Sequence, residues 1–148
     1  MPTSRGPSRE GDAPAGARRR ARERALGLLY EAEMKGCPPE EVLAGLAVPP
    51  EPYAEALVRD TGRRAEEIDR LVGEKAAGWR LERMAAIDRQ VLRLATCELL
   101  AHPEVPTAVV LDEAVELAKG YSTEDSGRFV NGVLAALARE VRPAQEAG

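Results

Sequence analysis

Apolar positions along this chain recur every three or four residues, the spacing that aligns one face of a helix. From about Ala17 to Lys35 they are Ala21, Ala25, Leu28, Leu29 and Ala32, and Gly36 with Pro38 and Pro39 ends that helix. Glu40–Ala47 reads as a short helix closed by Val48, Pro49 and Pro50. Residues 52–76 form the longest periodic segment, striped by Ala54, Leu57, Val58, Thr61, Ala65, Ile68 and Val72. Gly62 is its soft spot, costing about 1 kcal/mol relative to Ala. Trp79 and Leu81 follow in a short connection. Residues 85–101 are apolar on nearly all sides, with Arg89, Arg93 and Thr96 leaving one narrow polar stripe. Such a helix belongs in the middle of a bundle. His102-Pro103 stops it, and Pro106-Thr107 opens the next helix, to about Lys119, with Gly120 as its C-terminal cap. The last helix, from about Glu124 to Arg142, presents Phe129, Val130, Val133, Leu134, Leu137 and Val141 on one face. No strand-like alternation competes with these patterns. The expected fold is all-α, with about seven helices.

Composition narrows the class. A length of 148 with 44% apolar residues suits one domain, and 3% aromatics leave Leu, Val and Ala to fill its core. No apolar run approaches the roughly 20 residues of a membrane span. The positively charged N-terminus lacks the apolar segment of a secretory signal. Residues 1–17, rich in Pro, Gly, Ser and Ala, are expected to be disordered, as is the tail 143–148, which leaves 18–142 as the folded domain. Cys37 and Cys97, neither in a CxxC pair, read most simply as reduced thiols of a cytoplasmic protein, with a disulfide between them as the alternative. No Cys/His cluster suggests a metal site, and no Gly-rich loop suggests a nucleotide. The single histidine, His102, sits before a proline at a helix end. Asp112-Glu113 and Glu124-Asp125 read as solvated faces, because adjacent helix residues point in different directions. No catalytic residue, metal or cofactor is expected. The chain binds rather than transforms.

Charge says what it binds. Through Arg24 the chain carries seven Arg against Glu10, Asp12 and Glu23, whereas the remaining 124 residues carry 14 basic and 22 acidic side chains. A basic arm on an acidic body points to a polyanion met at one place. Arg18, Arg19, Arg20, Arg22 and Arg24 crowd one helix start, where mutual repulsion and the helix dipole both oppose them. A bound anion relieves both, and guanidinium groups suit phosphate and bases, so RNA or DNA is the first partner to test. The second candidate is the run from Gly120 to Gly132. Ser122 and Asp125 approximate a capping box there. Capping does not require Arg128, Asn131 and Gly132, and Arg128 and Asn131 lie off the Phe129–Val133–Leu137 face. Asn131 and Gly132 are poor mid-helix residues, which either a bound strand or a close helix crossing would explain. Tyr121 has two readings, a base-stacking ring or a partly buried core tyrosine.

Several runs resemble one family. Arg18-Arg19-Arg20-Ala21-Arg22-Glu23 with Leu29-Tyr30, and Asp88-Arg89-Gln90-Val91-Leu92-Arg93-Leu94-Ala95 with Glu98-Leu99, are similar to the NusB family of transcription antitermination factors. So are Val105-Pro106, Asp112 through Lys119, and Glu124 through Leu134; together they span roughly residues 17–142 in family order. The resemblance implies two small helical bundles packed together. It implies binding of single-stranded boxA in nascent RNA, as a heterodimer with the ribosomal protein NusE. Through that complex it implies contact with RNA polymerase and other Nus factors, suppressing premature termination notably on ribosomal RNA operons. By the same resemblance Arg18, Arg19, Arg20 and Arg22 contact RNA, and Tyr30, Asp125 and Phe129 lie at or near the RNA surface. Asp88 falls on the NusE-facing side. Cys97 stands where the family has an aromatic residue, and the leader is longer than the family norm. Family members differ in forming homodimers, so a homodimer of this chain stays open. Two other classes compete. One is an adaptor whose arm meets an acidic protein. The other is the accessory domain of a ribosomal RNA methyltransferase, disfavoured because a 148-residue chain leaves no room for a cofactor-binding domain.

Overall fold

The computed structural model describes residues 15–143. Among them are seven α-helices and no strand: α1 (Ala15–Lys35), α2 (Pro39–Ala44), α3 (Pro52–Arg63), α4 (Ala65–Lys75), α5 (Ala86–Ala101), α6 (Thr107–Tyr121) and α7 (Glu124–Val141). A 3-10 turn, Leu81–Arg83, precedes α5. Helices α1 to α3 pack as one small bundle and α4 to α7 as a second, while α5 touches both. Ala15–Ala17, expected within the leader, already belong to α1. The rest of the leader (1–14) and residues 144–148 of the tail lie outside the described residues.

Helix α1 buries the stripe read from the sequence, Ala21, Ala25, Leu28, Leu29 and Ala32. It ends where Gly36 takes φ 68, a left-handed conformation glycine reaches without Cβ strain. There the Cys37 N–H donates back to Ala32 O at 3.0 Å, closing the last turn. The long segment 52–76 is two helices rather than one. The chain bends at Arg64 (φ −104, ψ 19), two residues after Gly62, where a Cβ would make ordinary van der Waals contact with Pro39 at 3.5 Å. The bend keeps α3 against α1 and α2 and turns α4 onto α5 and α7. Gly120 does not cap α6, which continues through it to Tyr121.

Helix α5 is buried on almost every side, as its composition demands. Its polar stripe does not face water. Arg93 forks onto Asp69 of α4 at 2.8 and 3.0 Å. Arg89 pairs with Glu33 of α1 and also donates to the carbonyls of Leu81 and Met84. Arg142, buried just beyond α7, donates to Leu99 O (2.9 Å), His102 O (2.9 Å) and Val105 O (2.6 Å). One guanidinium thus ties the carbonyls at the end of α5 to those of the connection that leads into α6. His102 stands between Asp60 Oδ2 (3.2 Å) and Glu104 Oε2 (3.5 Å), with its ring edge-on to Tyr53. It joins α3 to the end of α5, a structural post.

Candidate nucleic-acid interface

The arginines of the arm lie within seven helical positions, each residue turned by about 100° from the one before, so they point to different sides. This rotation divides them. Arg22 points into the protein, 3% exposed, and meets Glu98 of α5, itself 1% exposed. Three N–H···O contacts of 2.7–3.0 Å join the two groups, and the Tyr53 hydroxyl donates to the same carboxylate at 2.5 Å. Burial disfavours the Arg22 charge, but the Glu98 hydrogen bonds and charge prevail and raise its pKa above the ordinary arginine value. Burial beside Glu98 pushes the Tyr53 phenol well up. Arg22, expected at the RNA surface, is instead buried against Glu98 in this structure.

Arg18, nearly a full turn earlier, lays its guanidinium 3.9 Å above the centre of the Tyr53 ring. Arg19 reaches across to α6 and forks onto Glu113 at 3.0 and 2.8 Å. The pair raises the Arg19 pKa and holds the Glu113 carboxyl below its ordinary value. Glu113 is thus not a solvated acid, in contrast to the exposed Asp112, Glu124 and Asp125. Arg20 and Arg24 face outward, with no ion pair to any described residue. Further along the outer surface of α1, Tyr30 is 37% exposed.

At the start of α7 the cap is Thr123, one residue later than the Ser122 reading. Its hydroxyl accepts from Ser126 N–H at 3.0 Å. Asp125 plays no part in the cap and pairs instead with Arg128 on the open surface. The close helix crossing is real, but it lies at Gly127. A Cβ there would meet Lys119 Cγ of α6 at 2.7 Å. Asn131 and Gly132 are exposed, and nothing lies within 4 Å of where a Gly132 Cβ would be. Crossing therefore does not explain them. Tyr121 is 55% exposed, which removes its core reading.

Asp88, 9% exposed at the start of α5, accepts from Ser126 Oγ at 2.9 Å through Oδ2. Its Oδ1 is buried without a hydrogen-bond partner. Both belong to a cavity of about 200 Å³ also lined by Trp79, Met84, Asp125 and Phe129. Phe129 is half-buried against Trp79, ring centres 5.8 Å apart at 61°. The fold thus gathers Asp88, Asp125 and Phe129 around one hollow, although they are far apart in sequence. A larger cavity of about 420 Å³, between α1, α3, α4 and α5, takes in none of the sequence-predicted site residues. No described cluster of His, Cys, Asp and Glu has the grouping a metal ion needs. No described helix is long and apolar enough to cross a membrane.

The sequence pattern of the NusB family matches residues 19–139. The chain belongs to the NusB family. A transcription antitermination protein NusB of Salinispora tropica is 46% identical over 129 residues, covering 82% of this chain and 95% of the relative. A structure of T. maritima NusB superposes with a TM-score of 0.79 at 34% identity, over 88% of this chain and 97% of that one. A NusB chain crystallised with NusE and double-stranded RNA superposes at 0.73, with 30% identity over 86% and 99% of the two chains. The two-bundle architecture and the all-helical class are those of the NusB family.

Sequence reading missed Tyr53, Glu98, Glu113 and Trp79. Glu98 had a signal: a carboxylate set among apolar residues of α5, away from the Arg89–Arg93 stripe, needs a buried cationic partner.

Proposed function

We propose that this chain is a transcription antitermination factor that binds boxA in single-stranded nascent RNA together with NusE. The observation that carries the reading is the outer side of α1, where Arg20 and Arg24 are exposed with no ion pair to any described residue and Tyr30 is exposed further along the same helix, in a NusB-family fold. Arg18, Arg19 and Arg20 supply the cationic approach, with Arg22 holding their helix in place from below. Tyr30 offers a ring to an unstacked base. Tyr121, Asp125, Arg128, Phe129 and Asn131 extend the surface along the start of α7. Asp88, with an unpaired buried oxygen at the Trp79–Phe129 hollow, is the NusE-facing group, since a partner's N–H would satisfy it. In this reading the RNA–NusE complex joins RNA polymerase and other Nus factors in the cytoplasm and keeps ribosomal RNA transcription from stopping early. No chemical step is involved.

With 3% aromatics the chain has few stacking rings, so RNA affinity alone is modest and rises when NusE supplies further surface. The test is a gel shift with boxA and scrambled RNA, with and without NusE, at two salt concentrations. The expected result is a boxA preference, strengthened by NusE and weakened by salt. Equal binding of scrambled RNA, unaffected by NusE, overturns the reading. Displacement of RNA by an acidic peptide at the same concentration would favour the adaptor alternative instead.

A further inference from the structure

We propose that Arg24 is an RNA-binding residue of this chain, and that with Arg20 it forms the phosphate-gripping pair of the arm. The proposal rests on the RNA-binding reading above and redistributes the roles within it. Arg22 cannot leave Glu98 without abandoning a carboxylate in the core, so it does not reach for a ligand. Arg18 is seated on the Tyr53 ring, and Arg19 already has its fork filled by Glu113, a carboxylate with the same bidentate geometry a phosphate presents. Those three fasten α1 to α3, α5 and α6. What remains on the open side is Arg20 and Arg24, both exposed.

Four residues apart, these two are separated by about 6 Å along the helix and about 40° around it. They therefore stand side by side on one face rather than on opposite flanks. Beyond them the surface is bare at Gly27, exposed and with nothing within 4 Å of where its Cβ would be. Tyr30 follows about 9 Å past Arg24 along the axis. Two cations, a turn of uncovered backbone and a ring make a track across the helix. It suits a single strand, whose phosphates take the guanidinium groups and whose unstacked base takes the ring. A duplex offers the ring no free base face.

Two acids share this side of α1. Glu31 is neutralised by Lys35 at 2.6 Å. Glu23 is exposed and lies about 100° around the helix from Arg24, on the flank that Tyr30 shares about 20° away, so a strand meets the arginine pair first and passes beside Glu23 only where the ring takes its base.

The test uses the full chain and a boxA-containing single-stranded RNA titrated across a salt series. Arg24→Ala is expected to reduce the slope of log K against log salt by about 0.7, the increment for one neutralised phosphate, and Arg20→Ala by the same amount. Arg24→Lys keeps the slope, because the charge remains. Tyr30→Leu lowers affinity while leaving the slope alone, because stacking releases no counterion. Arg24 is exposed and makes no ion pair to any described residue, so Arg24→Ala is expected to melt with the wild type, which a circular dichroism scan checks. If Arg24→Ala binds with the wild-type affinity and slope while Arg20→Ala does not, the assignment of Arg24 is overturned and the RNA reading stands. Wild-type protein that holds no RNA at any salt overturns both.

Discussion

Replacing Arg22 by Met separates a structural role for this residue from a binding role. Met fills a similar volume without charge, so the change removes three N–H···O contacts of 2.7–3.0 Å and leaves Glu98 with the Tyr53 hydroxyl alone. The carboxylate is 1% exposed and cannot turn to water. Removing one partner of such a buried pair costs about 3–5 kcal/mol. At roughly 4 °C per kcal/mol for a domain of this size, that lowers the melting temperature by about 12–20 °C. The double variant Arg22→Met/Glu98→Leu removes the stranded charge and is expected to recover most of the loss, since apolar replacements of buried ion pairs are often neutral. Thermal and urea unfolding followed by circular dichroism measure both variants. The double variant then enters RNA titrations, where its salt slope is expected to equal that of the wild type. A loss below about 1 kcal/mol for Arg22→Met, or a shallower slope for the folded double variant, would refute the placement of Arg22 in the core.

Two further predictions follow from local geometry. Gly127→Ala crowds Lys119 at the α6–α7 crossing and costs about 1 kcal/mol or more, whereas Gly132→Ala enters open space on the same helix and stabilises by about 0.5–1 kcal/mol; paired urea melts distinguish them. Arg89 holds the Glu33 carboxyl below its ordinary value, and Arg19 does the same for Glu113. Both groups therefore contribute stability above the ordinary carboxylate range that is lost as pH falls through their folded-state values. Glu33→Gln and Glu113→Gln should each flatten the acid limb of a stability-against-pH curve, and an unchanged limb in both would show that the pairs do not contribute.

The helices were legible because burial imposes the period that the apolar residues repeat. Residues 52–76 were misread as continuous because the stripe keeps its phase across Arg64. The bend answers the need of α4 to reach α7, a demand set by the other end of the chain. The arm was legible as a charge cluster but not as a division of labour. Helical phase alone turns Arg22 inward and Arg20 outward. It does not reveal that the inward one finds Glu98, 76 residues away, or that Arg19 finds Glu113 across the gap to α6. For the same reason the Asp88 hollow was invisible: Trp79, Asp88 and Phe129 meet only once α5 and α7 have packed. Asn131 and Gly132 remain exposed without an internal partner among the described residues, which keeps them in the proposed ligand surface rather than in the fold.

The account depends most on nucleic acid lying across the outer face of the first helix. Photo-crosslinking of a thiouridine-substituted boxA transcript, with the attachment points mapped by mass spectrometry, reads that placement directly. Adducts at Tyr30 and in the peptides flanking Arg20 and Arg24 are the predicted result. Adducts confined to α3 and α4, with the first helix unlabelled, would contradict it.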